Sequence, residues 1–387
     1  MDRRSFVKQA SLFSLTAALQ SGLNLRADSS NYFDETVRIG YLPITDASSL
    51  LIAHEIGLFK EEGLKSAKPA LLRGWSPLVE SFIAKKFNVV HLLKPIPIWM
   101  KFANNIPVKI PAWAHTNGSA LVVGKHKNVT SVKDLGGTNL AVPYWYSVHN
   151  IILQKLLKEN GLTPVIQDKN IPLKANEVNL QILPPPEMPL ALVAKKIDGY
   201  IVAEPFNAFG ELKANATVLR FSGDVWKNHP CCVVTMHENV LNEQQEWSQK
   251  VINAIVKAEI FISENRVETA KILSTQKSGL LPFDFNVIDR AMNFYDNPVY
   301  AQIGANKNKD IWKNNRIDFN PYPYPSATEY IIEAMKETLV EGNLKFLDNI
   351  DPKAAVNDII DYRYVTNAIN NFYKTPPLFT REEKMNF

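Results

Sequence analysis

With 387 residues, 46% of them hydrophobic and 21% charged, the chain is long enough for two domains, each with its own core. The net charge of +4 is concentrated at the start: Arg3, Arg4, Lys8 and Arg26 stand against Asp2 in residues 1–27, and without them the balance falls to +1. A nucleic-acid footprint is therefore unsupported, and the two cysteines, adjacent at Cys231 and Cys232, do not make a disulfide scaffold.

Residues 1–27 read as a twin-arginine export signal. Arg3-Arg4-Ser5-Phe6-Val7-Lys8 is followed by a weakly apolar stretch from Ala10 to Leu19, with Ala27 as a cleavage position. The alternative is a basic amphipathic helix that stays attached. The stretch is too short to anchor in a bilayer, no later run reaches transmembrane length, and a soluble periplasmic protein is expected.

Val37 to Pro43 reads as a strand, and Thr45 or Asp46 as the cap of a helix that ends at Gly57. A β-prone stretch at Ala70–Leu72 leads through Gly74-Trp75 to Ser76, a cap with Pro77 behind it. Val89 to Leu93 is a third strand, broken by Lys94-Pro95-Ile96-Pro97. This rhythm is that of a parallel sheet with right-handed crossovers. Two extended runs, Val108–Ala114 and Ala120–Val123, bracket His115-Thr116-Asn117-Gly118, read as the first crossing into a second lobe. Ser131-Val132-Lys133-Asp134 starts a helix.

Two segments then carry the functional signal. In Leu140 to His149 a short strand meets the aromatic loop Tyr144-Trp145-Tyr146, and Ser147 caps a helix from Val148 to Asn160 closed by Gly161. In Ile197 to Phe206 an Asp-Gly turn feeds a strand that stops at Glu204-Pro205. Strand, loop and helix start in that order place free backbone N–H groups at the carboxyl edge of a sheet, where open α/β sheets bind small ligands. Val218 to Phe221 returns the chain across the hinge. Helical patterns follow over residues 246–265 and 287–295, and Ser326-Ala327-Thr328-Glu329 is a capping box after a proline-rich loop. The expected layout is an α/β chain with residues 28–114 as the first part of lobe 1, 115–221 as lobe 2, and 222–387 completing lobe 1 with C-terminal helices.

Each candidate site residue has a plainer reading beside the functional one. His149 sits in the first turn of its helix, where the dipole favours a neutral imidazole; it contacts ligand or fills a loop-to-helix turn. Trp145 and Trp75 line a cleft or pack a core. Thr45 and Asp46 cap a helix or touch ligand, and Glu204 touches ligand or holds the hinge. Cys231 and Cys232 are small buried residues or, with His229 or His149, a soft-metal site. They lack the C-x-x-C spacing of structural zinc, so no metal is expected and this trio is the alternative.

Tyr41-Leu42-Pro43-Ile44-Thr45-Asp46-Ala47, the Ser131–Leu135 helix start, the Ser147/His149 turn and Ile197–Pro205 together resemble ABC-importer solute-binding proteins. The group is the nitrate/sulfonate/taurine/bicarbonate family, also described as containing an NMT1-like domain. The resemblance runs from about Val37 to about Ala258. It implies a two-lobed periplasmic-binding-protein fold of type II with a multi-strand hinge, a small-molecule ligand in the cleft, and an ABC permease in the inner membrane as partner. It also implies anion contacts at Trp75, Asn117-Gly118 and His149. Relatives place a Lys shortly after a His-Pro pair, where this chain has His229-Pro230-Cys231-Cys232, a departure that weighs against nitrate itself. The expected ligand set is Thr45, Asp46, Trp75, Asn117, Gly118, Trp145, Ser147, His149, Glu204 and Cys232. The expected function is capture of a small anion by a monomeric, cofactor-free binding protein. A pyrimidine-like heterocycle is the alternative ligand. An enzyme is not expected, since no nucleophile–base motif, phosphate loop or H-E-x-x-H is present.

Overall fold

Among the described residues, a five-stranded and a six-stranded β-sheet carry helices on their faces, a two-stranded ladder lies in the crossing between them, and the crossings position the candidate site. The computed structural model describes residues 34–293, 297–308, 310 and 316–387; the expected export signal lies outside them. Residues 35–387 form one compact unit.

The first sheet has the order β2 (Ala70–Leu71), β1 (Ile39–Tyr41), β3 (Val89–Leu93), β12 (Cys232–His237) and β4 (Val108–Trp113). β1 pairs in parallel with β2 and β3, whereas β12 runs antiparallel to both β3 and β4. All five residues of β3 are buried, as a strand covered on both faces must be. The second sheet has the order β11 (Ala216–Phe221), β6 (Ser119–Gly124), β10 (Gly199–Ala203), β7 (Thr138–Val142), β9 (Glu177–Ile182) and β8 (Thr163–Val165). Its β10–β7–β9–β8 part is parallel, and β6 is antiparallel to both β10 and β11.

The chain leaves the first sheet after Trp113, enters the second at Ser119, and returns between Phe221 and Cys232. In the outward crossing β5 (Thr116–Asn117) pairs antiparallel with β13 (Ile317–Asp318). Asn117 and Gly118 both have positive φ, 60° and 80°. At Gly118 an added Cβ would also come within 3.2 Å of the His115 ring, so glycine is required there for conformation and for space.

The C-terminal part packs on both sheets. Helix Tyr362–Phe372 lies along helix Gln245–Glu264, and Ile360 bridges to Ile110 at the edge of the first sheet. Beyond helix Pro325–Lys336, Leu339 accepts from the Asn150 and Gln154 side chains of helix Val148–Glu159, beside the second sheet. Among the described residues no helix is long and apolar enough to cross a membrane.

Candidate functional site

The site lies where the carboxyl ends of β1, β3 and β10 meet the two crossings. Backbone bonds tie the parts together. The Thr45 amide donates to the Glu204 carbonyl at 2.8 Å, the Glu204 amide to the Gly118 carbonyl at 2.8 Å, and the Asn117 amide to the His229 carbonyl at 3.0 Å.

Around these bonds is a buried polar cluster. His115 Nε2 lies 2.8 Å from Asp46 Oδ2, and the Cys232 thiol donates to the same oxygen at 3.3 Å. Cys231 Sγ is 3.7 Å from His149 Nε2 and 3.8 Å from Ser119 Oγ, which itself is 2.8 Å from His149 Nε2. Asp46, His115, Cys231 and Cys232 are wholly buried, and Ser119 and His149 nearly so.

Burial pushes the Asp46 carboxyl up to about 6, with the His115 charge pulling the other way. Burial alone would lower His115, but the Asp46 carboxylate and its hydrogen bond outweigh this and raise it to about 10. The Cys232 amide also donates to His115 Nε2 at 3.1 Å, so that ring nitrogen meets both this amide and the Asp46 carboxyl. For the thiols burial acts upward. At Cys231 hydrogen bonds from Cys232 and the neighbouring histidines win and lower it, whereas Cys232 is raised further by Cys231 and Asp46.

The sequence-derived residues fall as follows. Thr45 donates its hydroxyl to the Glu204 carbonyl at 3.1 Å. Trp75 is buried with its ring 5.6 Å from the His91 ring, edge to face. Asn117 and Gly118 form the left-handed step of the outward crossing. Ser147 caps helix Val148–Glu159, accepting from the Asn150 amide at 3.1 Å. Trp145 is buried, and its carbonyl accepts from the Asn150 side chain. Its neighbour Tyr146 stacks on Trp99, of helix Pro95–Asn104, with centroids 5.3 Å apart. The Glu204 carboxylate takes the Ala208 amide at 3.0 Å and lies 3.0 Å from Arg316 Nη1, so it faces the hinge side. His229 engages the Ser222 hydroxyl at 2.8 Å; the groups gathered with both sulfurs are Asp46 and His115.

Three residues of this centre were not among the sequence-derived site candidates: His91, His115 and Ser119. His91 accepts the Leu42 amide on Nε2 at 3.0 Å, and burial pushes its pKa down to about 3. A neutral imidazole accepting on Nε2 carries its proton on Nδ1. That Nδ1 and the indole Nε1 of Trp75 are buried donors with no partner among the described residues. A histidine inside the apolar run Val89–Leu93, and another beside Asn117-Gly118, were the available signals.

This is the periplasmic-binding-protein fold of type II, with two lobes on a multi-strand hinge. It aligns with the crystal structure of the periplasmic nitrate-binding protein NrtA from Synechocystis at a TM-score of 0.74 and 17% identity, covering 91% of this chain and 94% of that one. The NMT1-like family model matches residues 32–274, and the chain belongs to that family. The nitrate/nitrite binding protein NrtA of a Nostoc species is 26% identical over 262 residues, 62% of this chain and 57% of that protein. The nitrate import ATP-binding protein NrtC of Synechocystis is 22% identical over 244 residues, 59% of this chain and 35% of that protein. The match thus spans little more than half of the first relative and about a third of the second.

Proposed function

We propose that the protein is a non-enzymatic, exported solute receptor of an ABC importer, which captures a small oxoanion or sulfonate-like anion between its lobes and presents it to a permease. The lobes are residues 28–114 with 222–387, and residues 115–221. The observation that carries the ligand class is the pair of orphan donors, Trp75 Nε1 and His91 Nδ1. A buried donor without an acceptor costs about 1–3 kcal/mol, which oxygen atoms of a captured anion would recover. The Asp46 carboxyl opposes an anion only weakly, because its Oδ2 is engaged by His115 and the Cys232 thiol and burial raises it to about 6. The Nostoc and Synechocystis relatives, named for nitrate binding and nitrate import, support the same class.

Titration calorimetry of metal-free protein with nitrate, bicarbonate, alkanesulfonates and a pyrimidine panel tests this. Saturable binding of one anion class supports the reading. Binding of heterocycles alone replaces it with the pyrimidine alternative, and turnover of a bound compound replaces it with an enzyme. Routing is tested by changing Arg3 and Arg4 to Lys: retention of the precursor in the cytoplasm is expected, since the pair is read by a receptor.

A further inference from the structure

We propose that Asp46, His115, Cys231 and Cys232 form a binding site for one borderline-soft divalent ion of the zinc class. Each residue offers one ligand atom, and the four atoms lie within 4.8 Å of one another. Four donors at such spacing match the coordination number of a tetrahedral ion, and two sulfurs with an imidazole select zinc-like metals over magnesium or calcium.

The donors come from three separated segments: the turn after β1, the outward crossing after β4, and the start of β12. Local chain geometry therefore does not explain their meeting. All four are wholly buried, and Asp46 Oδ1 and His115 Nδ1 have no partner among the described residues. A packing role for the cysteines would not need a carboxylate and an imidazole at the same point. His149 and Ser119, beside Cys231 Sγ, stand where groups hydrogen-bonded to a metal-bound sulfur belong. Uptake releases to solvent the thiol protons and any second ring proton of His115. The ion would fasten both crossings to the first sheet, whatever solute the cleft takes.

The test uses the full chain, stripped with a chelator and reduced with a phosphine, then titrated with cobalt(II) and afterwards with zinc(II). Expected are one cobalt ion per chain, thiolate-to-cobalt charge-transfer and tetrahedral d–d bands, and displacement by zinc. Cys231→Ser and Cys232→Ser should each weaken the charge-transfer bands, and the double variant should remove them. Asp46→Asn should loosen the ion, and His229→Ala should leave the spectrum unchanged. Should the serine variants not fold, zinc-edge X-ray absorption of the unaltered protein still decides, with two sulfur neighbours expected. No uptake of either ion, or stoichiometric uptake without sulfur neighbours, overturns the site. Solute titrations on the metal-free chain are scored separately, so the two readings fail independently.

Discussion

Asp46 keeps a carboxylate in a fully buried position because the His115 imidazole lies 2.8 Å away. Removing one partner of a buried pair leaves the other uncompensated. His115→Ala should therefore cost about 3–5 kcal/mol of unfolding free energy in the metal-free protein, and Asp46→Asn in the same chain should recover part of it. Denaturant titration reads both, and a loss under about 1 kcal/mol would show that the pair does not hold the centre. Trp75→Phe separates a donor from a ring: the edge-to-face packing on His91 is kept while the indole N–H goes. Anion affinity should fall by about 1–3 kcal/mol with little change in melting temperature. Equal affinity in the variant would remove Trp75 from the ligand set. At this scale the sequence pointed to Asp46, Trp75 and the cysteines, but not to His115 or His91. Their partners, Asp46 and the Leu42 amide, are brought to them only by sheet pairing.

The elements were legible where their ends are decided locally. Ser131 and Ser147 cap as their spacing indicates, Ser131 in a full capping box with Asp134. Ser147→Ala should accordingly destabilise the protein by about 1 kcal/mol, measured by chemical denaturation, with the second sheet intact by circular dichroism. A neutral outcome would mean the helix start is held by its Leu339 contacts instead. Other caps indicated by sequence do not stand at the N-cap: the helical turns start earlier, behind Ile44, Gly74 and Tyr324, and the side chains expected to cap are engaged elsewhere. The Thr45 hydroxyl goes to the Glu204 carbonyl, Asp46 to His115 and Cys232, and the Ser326 hydroxyl to Glu383 at 3.0 Å, while Ser76 faces the Tyr144 side chain. The helix starts are thus displaced by one or two residues, and the partners of these side chains are distant in the chain, which no local pattern reveals. The same holds for β12, whose place between β3 and β4 depends on a strand that arrives more than a hundred residues later.

Two features join distant parts of the whole molecule. The first is the cluster of Glu211 with Arg290, Arg316 and Tyr300, which ties helix Phe206–Lys213 to helix Phe285–Met292. Burial would raise the Glu211 carboxyl, but the two guanidinium groups and the Tyr300 hydroxyl outweigh it and hold it below the usual range. A depressed carboxyl stabilises the fold fully above its unfolded pKa of about 4.3, and that contribution disappears as pH falls through the folded value. Melting temperature should therefore drop as the solution is acidified below about pH 4.3, and Glu211→Gln should flatten that slope. An unchanged slope would assign the acid transition to other carboxylates.

The second feature is the C-terminal tail, which bears on how the lobes move. Glu383 accepts from Trp226 Nε1 at 2.8 Å and from Ser326, Arg381 donates to the Asn228 carbonyl at 2.9 Å, and the Asn386 amide donates to the Val225 carbonyl at 2.7 Å. The return crossing is thereby fastened to helix Pro325–Lys336. The links across the cleft include Tyr146 on Trp99 and Thr45 on Glu204, which a hinge opening would have to part. A solute that contacts both lobes shifts the population toward the form in which they meet, so it should lower the radius of gyration and raise the melting temperature. Removing residues 379–387 frees the crossing, so the solute-free chain should melt lower and scatter as a larger particle, with a greater compaction when solute binds. Small-angle scattering on both chains, with and without the anion identified by calorimetry, measures this. Equal radii in the two solute-free chains would mean that the tail is packing only. A bound solute that leaves the radius unchanged in both would mean that capture proceeds without lobe closure.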